Sequence, residues 1–295
     1  MKRTPPIAML LFLAVGASAQ QPLSLASRIA AHPERPELAP GQAMGEEVSF
    51  PAGGLTLHGF LYKPSGRGPF PAIIWNHGSE KQPGWQPELA AFYNSKGFVF
   101  FLPHRHGHGR SPGEYIGDVN DRLMKEAKNE ESAWPAMVKL HDVYNLDVAA
   151  AVEWLKSQPF VDKDRVVMSG VSYGGIQTLV SAEKGMGVRG FISFAPAAMS
   201  WRMVNLRKRL LSAVAQAQGP IFLLQAANDY SIGPSETLGP AIRKKGPPNQ
   251  ARLYPAFGAD DDHRKGHAAF ATWDIGTGIW GGEVMAFISA VLPGR

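Results

Sequence analysis

The chain has 295 residues, 44% of them hydrophobic, and a formal net charge of +5. This length and apolar content suffice for one large α/β core, so a single main domain is expected. The charge is mild, and no run of Lys and Arg with interleaved aromatic residues is present, which argues against nucleic-acid binding. The absence of cysteine excludes disulfides, a thiolate nucleophile and cysteine-ligated metal.

The N-terminus, residues 1–19, has the three parts of a secretory signal peptide. A short basic start precedes an apolar core, residues 7–15, which is too short to span a bilayer, and Ala17-Ser18-Ala19 supplies the small residues of a cleavage site. We expect cleavage after Ala19 and secretion across the inner membrane to the periplasm. No second apolar run is long enough to predict a membrane span. An uncleaved N-terminal anchor is the alternative interpretation.

Residues 20–44 are rich in Pro, Ala and charged residues without periodicity, and predict an irregular leader. The main domain is expected over residues 45–295. It begins with two strands, 46–50 and 55–62, joined by a Gly-Gly turn as an N-terminal hairpin.

From Pro71 onward, short apolar strands alternate with helical segments. Strands are predicted at 72–75, 98–102, 165–168, 188–194, 221–224 and 251–254, and helices at 87–96, 138–157, 173–183, 202–216, 235–244 and 282–292. Continuous apolar strands in this alternation indicate an α/β fold with a mostly parallel sheet covered on both faces.

One segment, the insertion at 113–137, breaks the alternation because it is long, charged and without a predicted strand. Long segments of this kind in compact domains are usually functional. It follows the strand at 98–102, so it can overhang the edge of the sheet where α/β proteins bind ligands. A small cap that contacts substrate and a plain surface excursion both remain open.

The pattern G-x-S-x-G occurs at Gly170, Ser172 and Gly174, between a buried strand and a helix. In this setting the Ser lies on a tight turn with its hydroxyl exposed, and flanking glycines let the backbone bend. We therefore predict that Ser172 is a nucleophile. The alternative is a Gly/Ser-rich turn without chemistry.

A Ser nucleophile needs a base and a carboxylate that orients the base. Asp229 follows a predicted strand and is the candidate acid, with Glu236 as the weaker alternative. His267 is the candidate base because apolar residues follow it, whereas the alternative base His263 lies in a charged run. The order Ser, acid, His is the one found in α/β-hydrolases.

Two backbone donors are expected to form an oxyanion hole. One is the N–H of Tyr173, after the nucleophile. The other belongs to the turn after the strand at 72–75, with Ser79 preferred and Gly78 second. His77 would then support this turn rather than act as a base.

Three histidines at alternate positions, His104, His106 and His108, suggest a metal site at first sight. Glycines make this stretch a loop, and no acidic ligand lies within it. We therefore predict neither a metal nor an organic cofactor.

Together these motifs resemble α/β-hydrolases of the dienelactone hydrolase-like group, over residues 46–292. The resemblance rests on five stretches: Asn76 to Ser79, His106 to Ser111 (similar to the family's Arg-Gly-x-Gly-x-Ser turn), Gly170 to Gly175, Asn228-Asp229, and Gly266-His267. It implies the α/β-hydrolase fold, with a mostly parallel central sheet and helices on both faces.

The resemblance also implies a triad of Ser172, Asp229 and His267. Dienelactone hydrolases proper use Cys as the nucleophile, and Ser172 stands in that place here. The expected function is a secreted serine hydrolase that cleaves small-molecule carboxylic esters. A serine peptidase of the prolyl oligopeptidase-like type and a non-catalytic binding protein on a hydrolase scaffold are the alternatives.

The signal-peptide prediction is tested at the N-terminus of the exported protein. Expressed in a Gram-negative host, the mature protein should begin at Gln20, because small residues at 17 and 19 fit signal peptidase. N-terminal sequencing of the periplasmic fraction measures this, and Ala19→Leu should block cleavage. Recovery of wild-type protein in the membrane fraction with residues 1–19 retained would favour the uncleaved anchor.

Overall fold

A computed structural model describes residues 24–32 and 45–292, together with Met1 and Gly294. The predicted signal peptide after Met1 lies outside the described residues. Part of the predicted irregular leader is helical, which corrects that prediction for residues 24–32. Helix α1 (Leu25–Ala31) is capped by the Ser24 hydroxyl, which accepts the Ser27 N–H at 3.1 Å, and it buries Ile29.

Eight strands of the described residues form one sheet in the order β1-β2-β4-β3-β5-β6-β7-β8. The strands β1 and β2 form the predicted antiparallel hairpin, β2 is antiparallel to β4, and the remaining neighbours are parallel. The mostly parallel sheet is confirmed. The strands are β1 (Glu46–Ala52), β2 (Leu55–Tyr62), β3 (Phe70–Asn76), β4 (Val99–Pro103), β5 (Val161–Val171), β6 (Phe191–Phe194), β7 (Ile221–Ala226) and β8 (Gln250–Tyr254).

Helices cover both faces of the sheet, and alternate residues of the buried strands divide between two cores. In β3, Ile74 packs in the core that includes residues of α4 to α7, whereas Ile73 and Trp75 pack in the core that includes residues of α1, α2, α8 and α9. No helix in the described part of the chain is long and apolar enough to cross a membrane. The remaining helices are α2 (Pro87–Asn94), α3 (Ile116–Glu126), α4 (Glu130–Lys156), α5 (Tyr173–Lys184), α6 (Val204–Gln216), α7 (Gly233–Arg243), α8 (Phe270–Thr272) and α9 (Asp274–Val291).

The insertion at 113–137 is mostly helical, containing α3 and the first turns of α4. Helix α4 begins at Glu130 because Asn129 and Ser132 form a capping box. Only Ile116 and Val119 of α3 are buried, so this segment has no apolar period that would predict a helix. The charged residues of this insertion therefore lie on exposed helix faces.

Helix α9 begins at Asp274, whereas the predicted start was residue 282. The prediction missed the first half of the helix because this half is rich in glycine, which has a low helix propensity. One of these glycines, Gly276, packs directly on the Phe270 carbonyl, where a Cβ would overlap the oxygen. This contact fixes α9 against the segment that carries His267.

Two Gly→Ala substitutions in α9 test this packing. Gly276→Ala should destabilise the protein by about 1–3 kcal/mol through steric overlap. Gly278→Ala, where a Cβ would meet nothing within 4 Å, should stabilise it by about 0.5–1 kcal/mol through helix propensity. Denaturant unfolding measures both, and equal effects of the two substitutions would contradict the packing argument.

Candidate active site

Ser172 lies on a sharp turn between the end of β5 and the start of α5, with φ 57° and ψ −118°. A non-glycine residue at positive φ is strained, and such strain persists only where the surroundings hold it. Gly174 lies against backbone carbonyls of Asn76 and His77, and a Cβ on Gly170 would lie 2.6 Å from the Gly174 carbonyl oxygen. The turn is therefore pressed onto the end of β3, and both motif glycines are needed for this approach.

Asp229 and His267 form a buried hydrogen-bonded pair. Their Oδ1 and Nδ1 atoms are 2.7 Å apart, and the Asp229 side chain has no exposed surface. Asp229 also accepts the Tyr230 N–H at 2.7 Å and the Gln225 Nε2–H at 2.7 Å. The carboxylate is thus fixed in place. With His267 Nδ1–H donating to it, Nε2 is the nitrogen available to accept a proton.

His267 lies in a π-helical turn, Lys265–Ala269, and its buried Nε2 has no hydrogen-bond partner in the described part of the chain. Ser172 follows β5, Asp229 follows β7 and His267 follows β8, so the three belong to the same edge of the sheet. The structure brings Asp229 and His267 into contact, whereas Ser172 makes no hydrogen bond to His267 in it. Catalytic hydrogen bonds are often open in a site without substrate.

The alternative acid and base occupy other positions. His263 is exposed, and its Nδ1 lies 3.0 Å from the carbonyl oxygen of Asn228 rather than near Asp229. Glu236 is exposed in the first turn of α7. Among the described residues, neither forms a hydrogen bond or an ion pair with His267.

Asn228 is a residue whose role the sequence analysis missed. Its side chain donates to the carbonyls of Phe257, Ala259 and Asp262 at 2.9–3.1 Å, and accepts the Phe257 N–H at 2.8 Å. It therefore fixes the loop between β8 and His267. Its place directly before Asp229 was the sequence feature that could have indicated this.

The turn after β3 contains the two candidate N–H donors, those of Gly78 and Ser79, and only one of them is already hydrogen-bonded. The Gly78 N–H donates to Glu80 Oε1 at 3.1 Å. The N–H groups of Ser79 and of Tyr173 have no acceptor among the described residues. Part of the Glu80 surface is exposed to solvent, but protein surrounds the residue on most sides. The resulting loss of solvation raises the pKa of its carboxyl group.

The turn is supported from below by His77 and Arg105, which are both buried. Burial, followed by the charge of Arg105, lowers the pKa of His77 well below its usual range, so the ring is neutral. Arg105 Nη2 donates to the carbonyls of His77 at 2.9 Å and Gly78 at 2.5 Å. The guanidinium also lies 4.9 Å from the ring centre of Tyr173. Arg105 stands within the run of histidines, and the sequence analysis missed it.

The three histidines of that run bind different partners. His104 Nε2 lies 3.0 Å from the Gly84 carbonyl, His106 Nδ1 lies 2.6 Å from Asp147 Oδ2, and His108 Nδ1 lies 2.9 Å from the His106 carbonyl. Each ring therefore has a separate protein partner, and only that of His108 lies within the run itself.

One group of His and carboxylate side chains in the described residues lies close enough to share a metal. It consists of His32, Glu88 and Asp274, where the leader helix meets α2 and α9. Here His32 Nε2 lies within hydrogen-bond distance of Glu88 Oε1, at 3.0 Å, and this contact ties the leader helix to the domain.

The insertion contacts the turn that follows β3. The Tyr115 hydroxyl donates to the Ser79 carbonyl at 2.6 Å, and the Tyr144 hydroxyl donates to the Glu114 carbonyl at 2.7 Å. The insertion therefore lies beside the candidate site, as a substrate-contacting segment requires.

The Dienelactone hydrolase family profile matches residues 58–275 of the chain. The chain belongs to the dienelactone hydrolase family. The resemblance proposed from its motifs is confirmed.

Two curated relatives of this family member are named polyketide transferases. The protein GrgF from a Penicillium species is 27% identical over 212 residues, which cover 68% of this chain and 65% of the relative. A second, from Aspergillus fumigatus, is 31% identical over 155 residues, covering 52% of this chain and 46% of the relative. The chain thus spans less than two thirds of the length of these relatives.

Solved structures share the α/β-hydrolase fold with this dienelactone hydrolase family member. Acylaminoacyl peptidase of Pyrococcus horikoshii has a TM-score of 0.60 at 16% identity, over 85% of this chain and 42% of that one. The α/β hydrolase GrgF of Penicillium has a TM-score of 0.57 at 17% identity, over 84% of this chain and 98% of that one. An esterase of Pyrococcus furiosus has a TM-score of 0.59 at 14% identity, over 84% of this chain and 92% of that one. The predicted fold is confirmed.

Histidines around the site predict an acid-sensitive stability. Burial is the main cause that lowers the pKa of His104 and His141 to about 4, of His108 to about 3, and of His77 well below its usual value. In the unfolded chain each titrates near pH 6.5. Between about pH 6.5 and 4 the unfolded state therefore binds protons that the folded state does not. As the pH is lowered through this range, the free energy of unfolding should decrease by up to about 1.4 kcal/mol per pH unit for each ring.

Denaturant unfolding at pH 7, 6 and 5 measures this slope. His141→Gln should reduce it, whereas His263→Gln, at an exposed position, should not. A slope that is the same in both variants would show that His141 does not contribute to the acid sensitivity.

Proposed function

We propose that the protein is a secreted serine hydrolase that cleaves carboxylic esters of small molecules. Ser172 is the nucleophile, His267 the base and Asp229 the group that orients His267. The observation that carries the proposal is the buried Asp229–His267 pair, whose open Nε2 belongs to the same sheet edge as the strained Ser172. Membership of a hydrolase family supports it.

The reaction follows from the directions of these hydrogen bonds. Ser172 Oγ attacks the ester carbonyl while His267 Nε2 takes its proton, and Asp229 stabilises the imidazolium that results. The carbonyl oxygen becomes an oxyanion, for which the unengaged N–H groups of Tyr173 and Ser79 are the proposed donors. Collapse expels the alcohol, which receives the proton from His267. Water then attacks the acyl-enzyme by the same sequence of proton transfers.

The proposed assignment of Ser79 rather than Gly78 as the second donor rests on Glu80. Its carboxylate already occupies the Gly78 N–H. An oxyanion at Gly78 would have to displace this carboxylate, whereas the Ser79 N–H is available without rearrangement.

Acyl transfer is a second candidate function, favoured by the names of the curated relatives. The same acyl-enzyme would pass its acyl group to an alcohol or amine instead of water. Only the acceptor distinguishes the two activities, so Ser172, His267 and Asp229 would keep their proposed roles.

Substitutions at the triad test the proposal. Ser172→Ala and His267→Ala should fold normally and lose nitrophenyl ester hydrolysis by at least about 10³-fold, because triad members act as a unit. His263→Ala should retain it. Fluorophosphonate labelling with peptide mapping should place the adduct on Ser172. Ester hydrolysis retained by Ser172→Ala would refute the proposed nucleophile, and absence of both labelling and hydrolysis in the wild type would favour a binding protein.

Product analysis separates hydrolysis from transfer and from peptidase activity. The enzyme is given an ester with increasing concentrations of an added alcohol, and an aminoacyl amide in parallel. Hydrolysis predicts mostly free acid at every alcohol concentration. A rising share of new ester would show transfer, and amide cleavage at a rate similar to that of the ester would show a peptidase.

A further inference from the structure

One buried cation, Arg105, contacts both halves of the proposed oxyanion hole. Only 2% of its surface is exposed. Nη2 donates to the carbonyl oxygens of His77 and Gly78, and the guanidinium packs over the ring of Tyr173. Tyr173 is the first residue of α5, and its own N–H is the other proposed donor beside that of Ser79.

The two carbonyls that Arg105 holds belong to the peptide groups that carry the candidate donors. The His77 carbonyl is in the same planar unit as the Gly78 N–H, and the Gly78 carbonyl is in the same unit as the Ser79 N–H. A cation bound to a carbonyl oxygen fixes the plane of that peptide. It also polarises the peptide, which makes its N–H a stronger donor.

The hydrogen bonds of Arg105 do not resemble those of a structural ion pair. Its Nε and Nη1 have no hydrogen-bond partner in the part of the chain that the structure describes. Glu80 and Asp147 influence it only through their charge. A buried guanidinium without a hydrogen-bonded carboxylate costs folding free energy. Stability alone therefore gives no reason for this cation.

We propose that Arg105 is the positioning residue of the oxyanion hole: it holds and polarises the 77–79 turn and packs against the ring of Tyr173. The inference rests on the proposed function, since it concerns stabilisation of an oxyanion on Ser172. Arg105 does not touch the substrate and acts through the peptide group of Ser79.

The test compares Arg105→Met and Arg105→Lys with a control, Arg209→Met. Arg209 is half-buried on α6 and pairs with Asp142 at 2.8 Å and Glu183 at 2.6 Å, so its loss removes a paired cation away from the site. Arg105→Met should lower kcat for nitrophenyl esters by about 10–10²-fold with little change in KM, less than the loss of a whole donor. Arg105→Lys should recover part of this loss because the charge remains.

Two further readouts separate positioning from a general structural role. An aryl trifluoromethyl ketone, which forms an oxyanion with Ser172, should bind Arg105→Met more weakly by the same factor as kcat falls, whereas the matching alcohol should bind unchanged. Amide hydrogen exchange of the peptide covering residues 76–82 should be faster in Arg105→Met than in Arg209→Met. This exchange readout does not depend on activity.

The outcomes separate failure of the inference from failure of the proposed function. An active wild type with unchanged kcat and ketone affinity in Arg105→Met would overturn the inference alone. Equal losses of ketone and alcohol affinity would also overturn it, because they indicate general damage. A wild type without ester hydrolysis would refute the proposed function, and unchanged exchange at 76–82 would then also refute the positioning role.

Discussion

The contact between the Ser172 turn and the end of β3 is the constraint on which the candidate site depends. Asn76 and Gly170 are register partners in the parallel pair β3–β5, so the two turns leave the sheet side by side. Gly174 then lets one turn rest on the carbonyls of the other. The positions of the proposed nucleophile and of the proposed donors are thus set by one contact, and a change that separates the turns would disturb both.

Polar groups around this contact are satisfied mainly by backbone carbonyls rather than by opposite charges. His77, Arg105 and His108 each bind carbonyls of the loops that follow β3 and β4. Burial and the charge of Arg105 lower the pKa of His77 and of His108 and keep both rings neutral, and Arg105 remains as a buried cation beside the turn. A low-dielectric layer with one oriented charge favours a developing anion more strongly than a solvated site would.

The fold was largely predictable because its strands are continuous apolar runs and its reactive residues stand at strand ends. The sequence favours His267 over His263 as the partner of Asp229 but does not decide between them. In the folded chain, His267 is hydrogen-bonded to Asp229 and His263 to the Asn228 carbonyl. Helix α3 could not be predicted, since two buried residues in a charged segment give no clear period. The contacts of Asn228 and Arg105 join residues far apart in sequence, so no local pattern reveals them.

Ser172 stands where dienelactone hydrolases proper have a cysteine, and a serine nucleophile needs more activation from the groups around it. A serine hydroxyl is a weak nucleophile without a base, whereas a thiol is partly ionised at neutral pH. The proposed mechanism therefore depends more strongly on an oriented His267, and Asp229 is held by three hydrogen bonds that fix this orientation. The 77–79 turn, which carries the proposed Ser79 donor, is also held by hydrogen bonds from two sides. Arg105 donates to the carbonyls of residues 77 and 78, and Tyr115 donates to the Ser79 carbonyl. The density of contacts on Asp229 and on the turn is what a serine nucleophile at this position requires.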